Sequence, residues 1–187
     1  MNETLPPLPA VRPLSGDSDS RPVLIIDSRE QSPLKFNRLQ SVRGTLVSGD
    51  YSVLGLENQF SVERKSVGDL VSCCMGKNRS RFERELSRMR GLWFARLLVV
   101  GREEDVWNGR FHSRMAPRSV IHTVYAFEAR YVPVVWAPTP EAAATLIERW
   151  GWWASRELIE GANALLRATA RRKSETLLTK MTESAAE

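Results

Sequence analysis

Asp50, Glu63 and Lys65 fall within one short stretch, "GDYSVLGLENQFSVERKSVGD", residues 49–69. The stretch otherwise reads as a β-hairpin with a turn near Gly55–Asn58. Residues two apart in a strand share a face, so Glu63 and Lys65 point one way and Arg64 the other. With "SGDYSV" as the neighbouring strand, Asp50 falls beside Glu63. Upstream, "PVLIID" reads as a buried strand over Val23–Asp27 that ends in another carboxylate, with Arg29 and Glu30 just beyond. Carboxylates converging at strand ends make an oxygen-rich site suited to Mg²⁺ or Mn²⁺. Such a metal lowers the pKa of bound water and polarises a phosphoryl oxygen. A nearby lysine orients or helps deprotonate the water, or offsets charge growing on phosphorus. Together these are the parts needed to hydrolyse a phosphodiester. Each residue also has a plain structural reading. Glu63 and Lys65 can be a solvated strand face, Asp50 a turn residue, and Asp27 a strand end. Asp69 can be the acid of a capping box begun by Ser66.

The elements that must position these groups follow from the pattern along the chain. "SVGDLVSCCM" reads as a short helix. "RSRFERELSRMRG" is an amphipathic helix with Phe82, Leu86 and Met89 on one face and Gly91 at its end. "FARLLVVG" is a buried strand over Phe94–Gly101. "PRSVIHTVYAFEAR" is a helix with Pro117 in its first turn. In "YVPVVWA", Pro133 places a strand at an edge or marks its start. A long helical region follows, capped by Thr139 with Pro140 in first position, and Gly151 and Gly161 are candidate interruptions. The polar chain after Arg171 is expected to fray. This order predicts an α/β fold, a mixed central sheet flanked by helices.

Composition bounds the rest. The chain has 187 residues, 42% hydrophobic and 26% charged, with net charge +5 and pI near 9.6. Residues 1–20 hold four of the ten prolines and a Ser/Asp/Gly cluster, which reads as a disordered leader. A domain over 21–160 and a helical, polar tail over 161–187 complete the expected organisation. Without the leader, the remaining 26 basic and 19 acidic residues give +7. A basic surplus favours an acidic partner, nucleic acid being the commonest. The two cysteines are adjacent, Cys73 and Cys74, and read as free thiols of a reducing compartment. No secretory signal and no apolar run long enough to cross a membrane is found. A cytoplasmic or nucleoid-associated protein is expected.

The stretch quoted first carries GD, a spacer, ERK, three residues and D. In this it resembles the XPF/ERCC4-type nuclease domain, a branch of the restriction-endonuclease-like superfamily. "IIDSRE" is similar to that family's first acidic motif, "GKNRSRFERELSRM" to its basic segment, and "RYVPVVWAPTPEAAATLIERW" to its closing strand and helix. The likeness spans roughly residues 22–155. It implies a restriction-endonuclease-like fold and a Mg²⁺- or Mn²⁺-dependent endodeoxyribonuclease acting on branched, flap or fork DNA in repair or recombination. Asp50 and Glu63 would then be metal ligands, with Asp27 a further acid of the metal site and Lys65 the catalytic lysine. Arg29, Glu30, Arg64 and Asp69 would support the site, Arg29 near phosphate. Larger members carry helix-hairpin-helix modules after the domain and often a helicase before it. A chain of this size suits a bacterial or phage protein.

Segment 79–96 carries six arginines against Glu83 and Glu85, a net of +4. Arg79, Arg81, Arg84 and Arg88 are candidate phosphate contacts, Arg81, Arg84 and Arg88 forming one helical stripe. A solvated face with internal Glu–Arg pairs is the plain alternative. The loop with Trp107, Phe111 and His112 is either a DNA contact or ordinary surface around one buried tryptophan. His112 and His122 lack metal-ligand spacing, and His122 reads as a core or partner-facing residue. Trp150, Trp152 and Trp153 are either core or a homodimer or partner interface on the C-terminal helix. Two other functions remain in view, a non-catalytic DNA-binding subunit and a restriction-like enzyme cutting a fixed sequence.

Overall fold

A computed structural model describes residues 21–184, with side chains described through residue 172. The expected leader, residues 1–20, lies outside the described residues. Six strands form one sheet in the order β2-β1-β3-β4-β5-β6. They are β1 (Leu24–Asp27), β2 (Ser41–Gly44), β3 (Tyr51–Val53), β4 (Phe60–Ser66), β5 (Phe94–Val100) and β6 (Val134–Ala137). The helices are α1 (Val67–Cys73), α2 (Gly76–Met89), α3 (Glu103–Trp107), α4 (Pro117–Arg130) and α5 (Pro140–Ser184).

The sheet is mixed for one reason: β3 runs antiparallel to both neighbours, while β1/β2, β4/β5 and β5/β6 pair in parallel. Consequently β1 and β4 end, and β3 begins, on the same edge of the sheet. Asp27, Asp50 and Glu63–Lys65 all lie at that edge. The alternation along β5 divides the core. Ala95, Leu97 and Val99 face Leu70, Phe82, Leu86, Ile121 and Phe127 of α1, α2 and α4. Phe94 and Leu98 face the other way, onto Ala143, Ala144 and Ile147 of α5 together with Leu24, Tyr51 and Val62.

Several expectations change. The stretch "SGDYSV" is not strand throughout; the chain turns at Gly49, and only Tyr51–Val53 joins the ladder. The edge strand β2 and the short α3 carry too little apolar pattern to be read in advance, and β2 is largely exposed. Pro133 does precede an edge strand. Thr139 caps α5, its Oγ1 accepting from Ala142 N at 3.2 Å. Gly151 does not interrupt α5. A Cβ there would meet Leu24 Cδ2 at 3.0 Å and Val53 Cγ2 at 3.2 Å, so the missing side chain lets the helix lie close on the sheet. Gly161 does not interrupt the helix either, and the backbone stays helical past Arg171 through Ser184.

Candidate active site

Neighbouring strands place the acids through backbone bonds. Asp27 N donates to Asp50 O at 2.8 Å, and Asp50 N donates to Val62 O at 2.9 Å. Tyr51 pairs with Val62, so Asp50 stands opposite Glu63 one step along the ladder. Gly49 makes this possible. Its φ is +78°, and a Cβ there would meet Ser61 Oγ at 2.1 Å and Val62 O at 3.1 Å. Glycine therefore supplies both the left-handed turn and the close approach that deliver Asp50.

Glu63 and Lys65 project to the α1/α2 face, as strand alternation requires. Lys65 Nζ donates to Glu63 Oε1 and lies 5.2 Å from the centre of the Phe82 ring. Glu63 is 1% exposed, and its other oxygen, Oε2, is buried with no hydrogen-bond partner. Burial raises the Glu63 carboxyl above the usual range, and the Asp50 charge adds to the rise. Burial likewise raises Asp50, although its Oδ2 accepts a hydrogen bond from Arg64 N at 2.8 Å. Burial pulls Lys65 down, but the charge and hydrogen bond of Glu63 outweigh it and hold the ammonium protonated. The two directions compete for one proton, since burial of Glu63 favours the neutral acid and the contact favours the ion pair. Lysine, the stronger base by far, keeps it.

A cleft of about 460 Å³ opens over these groups between the sheet edge and α2. Arg29, Glu30, Asp50, Arg64, Lys65, Asp69 and Arg81 line it. Asp27 does not. Its four hydrogen bonds use both oxygens: Oδ1 accepts from Arg29 N (2.8 Å) and Nε (2.7 Å), and Oδ2 from Arg29 Nη2 (3.0 Å) and Leu46 N (2.7 Å). Burial opposes its charge, yet these donors lower its pKa to about 2. In this geometry Asp27 clasps two loops, and both of its oxygens accept from these donors.

The supporting residues divide by function in the fold. Arg64 forks onto Glu30, with Nε 3.2 Å from Oε2 and Nη2 3.0 Å from Oε1, and fixes the loop after β1. Asp69 makes the capping box with Ser66, whose Oγ accepts from Asp69 N at 3.1 Å and donates to Oδ2 at 2.6 Å. It also lines the cleft, so both of its sequence readings persist. On α2, Arg81, Arg84 and Arg88 are exposed. Arg79 instead pairs with Glu83 at 3.0 Å and lies 6.0 Å from the Phe127 ring.

Other expectations shift too. Trp107 is 43% exposed and Val106 is the buried residue of α3, so the loop is not organised round a buried tryptophan. His122 is exposed, not core. The cysteines are free thiols, as expected. Two functional-looking acids escaped the sequence reading. Glu85 lines the cleft from α2. Glu148 of α5 is buried, and its Oε1 accepts from the backbone N–H groups of Asn37, Arg38 and Leu39 at 2.6–3.1 Å. A helix-face glutamate among arginines carries no local signal of what it faces.

Among the described residues, no three His, Cys, Asp or Glu side chains cluster closely enough to hold a metal by themselves. Two carboxylates are nevertheless a fitting set for Mg²⁺, which keeps several waters and takes one or two protein carboxylates alongside substrate phosphate. The unpartnered Glu63 Oε2 is the observation that favours such a cation. Its desolvation is otherwise uncompensated.

A sheet whose one reversed strand delivers an aspartate beside Glu-x-Lys defines a class of fold and site. The chain belongs to the ERCC4 domain family, whose model matches residues 26–149. Two solved structures are similar to it. One is XPF from Aeropyrum pernix, at 20% identity and TM-score 0.55, covering 71% of this chain and 61% of that one. The other is the same protein in complex with DNA, at 21% identity and TM-score 0.55, covering 73% and 66%. This chain thus spans about three-fifths of the length of the first. The mixed six-stranded sheet with flanking helices is the fold they share. Comparison with curated proteins gives no match.

Proposed function

We propose that the protein is a Mg²⁺- or Mn²⁺-dependent DNA endonuclease acting on branched, flap or fork DNA in repair or recombination. The observation that carries this reading is that Asp50 and Lys65 line one cleft with Glu63 beside them, its Oε2 buried and unpartnered.

Asp50 and Glu63 would hold the divalent cation, which would supply an activated water and a polarised phosphoryl oxygen. Lys65, held against Glu63, orients that carboxylate and offsets charge on the phosphoryl group. Water oxygen bonds to phosphorus in line as the opposite P–O bond breaks; the attacking water gives up one proton and the leaving oxygen takes one up. Arg64 and Glu30 brace the rim, and Asp69 fixes the start of α1 beside it. Asp27 sets the spacing of the loops that carry Arg29 and Leu46. Arg81, Arg84 and Arg88 present one face of α2 to the DNA backbone, which positions the strand without reading its sequence. Arg79 braces α2 through Glu83.

The reading extends to assembly and place. A second copy of the chain covers Trp152 and Trp153 on α5, and the protein works in the cytoplasm or nucleoid of a bacterium or in a phage-infected cell. No helix among the described residues is long and apolar enough to cross a membrane.

The test compares wild type with Asp50→Ala and Lys65→Ala on flap, fork and plain duplex DNA with Mg²⁺. Each substitution is expected to lower the cleavage rate by about 10²-fold or more, the scale of losing a positioned charge at the reacting centre. Cleavage that survives both changes overturns the assignment. DNA binding by wild type with no cleavage points instead to a non-catalytic binding subunit. Cutting confined to one sequence points to a restriction-like enzyme.

A further inference from the structure

The two glutamates of α2 are treated differently by the fold. Glu83 is neutralised by Arg79 one turn back, at 3.0 Å. Glu85 has Arg81 at the same i−4 offset, and both line the cleft, yet no ion pair or hydrogen bond holds the Glu85 carboxylate among the described residues. It faces the cleft from α2, across from Asp50 of the sheet and Arg29, which line the same cleft. A free carboxylate on the most basic helix, facing the place where phosphate must enter, opposes the DNA contact that the arginines provide. It adds to the repulsion that Asp50 and Glu63 already feel. A bound cation turns this cost into an attraction. The unpartnered Oε2 of Glu63, almost wholly buried, independently marks where a cation is wanted.

We propose that Glu85 is a third carboxylate of the divalent-cation site, acting from the α2 wall through a water of the hydrated ion. The outer position follows from the absence of three directly clustered ligands among the described residues. Mg²⁺ retains several waters, and a carboxylate hydrogen-bonded to one of them orients it and adds to the attraction. By this role the ion ties α2, and the arginine face it carries, to the edge of the sheet. The inference rests on the reading of Asp50 and Glu63 as ligands.

The experiment uses the full chain without DNA and follows Mn²⁺ binding by electron paramagnetic resonance. Glu85→Gln is expected to weaken Mn²⁺ binding about tenfold, with Glu85→Asp recovering part of the loss. The metal-free melting temperature of Glu85→Gln is expected to equal or exceed that of wild type, and its metal-free affinity for duplex DNA to hold or rise. Wild-type Mn²⁺ affinity in Glu85→Gln, with binding abolished in Asp50→Asn, overturns the role of Glu85 alone. A loss of affinity that merely follows a lower melting temperature overturns it as well. A wild-type chain that binds no Mn²⁺ overturns both this role and the reading beneath it.

Discussion

Asp27 and Glu63 are both about 1% exposed, yet the fold treats their charges in opposite ways. Asp27 is supplied with four donors, Glu63 with one lysine and an empty second oxygen. A buried carboxylate with its lone pairs satisfied stabilises the folded state, whereas one left short of partners carries an uncompensated desolvation cost. The folded pKa of Asp27, about 2, lies below the ordinary 3.8. Its contribution is therefore fully present above about pH 4 and is lost as pH falls through about 2. Asp27→Asn is expected to lower stability at pH 7 by about 2 kcal/mol and to flatten the acid limb of a urea-denaturation series. Mn²⁺ affinity is expected to stay near the wild-type value. Loss of Mn²⁺ binding at unchanged stability would return Asp27 to the metal site.

At the scale of elements, the device that makes the site is the turn into β3. One reversed strand between two parallel ones brings a strand beginning next to two strand ends. The left-handed Gly49 is the hinge of that reversal, and it lies against Ser61 and Val62 of β4. Gly49→Ala places a methyl group in that contact and strains the turn, at a cost of about 1–3 kcal/mol. Because Asp50 is the next residue, cleavage is expected to fall further than stability does. Wild-type cleavage rates in a Gly49→Ala protein whose melt is unchanged would show that the turn does not set the site. The turn was hidden in the sequence. "TLVSGDYSVL" alternates well enough to read as one strand, and only the approach of β4 decides where the chain must bend.

At the scale of the whole molecule, α5 covers the sheet and runs on beyond it. Its first part packs on the sheet, where Gly151 permits close contact and Glu148 captures three backbone donors of the loop between β1 and β2. Further on, Trp152 and Trp153 are 39% and 52% exposed, and Ile159 and Leu165 are more exposed still. At 45 residues the helix is roughly 67 Å long, well beyond the sheet it covers. The exposed apolar groups suit cover by a second copy. Sedimentation equilibrium is expected to give a dimer at micromolar concentration, and Trp153→Glu with Ile159→Glu a monomer that melts close to wild type. A wild-type monomer throughout that range would remove the dimer.

The residue pattern by itself determined the α/β class, most strands and helices, and the shared face of Glu63 and Lys65, because those features depend on local periodicity. The likeness of GD…ERK-x-x-x-D to a known domain family, which the match over residues 26–149 bears out, was also written in the linear order. Tertiary structure alone decided which acids face the cleft. It saturated Asp27, left Glu63 Oε2 bare, turned Arg79 onto Glu83 and brought Glu85 in from α2. The physical reason is that local periodicity assigns a side chain to a face, whereas its partners come from strands and helices distant in sequence.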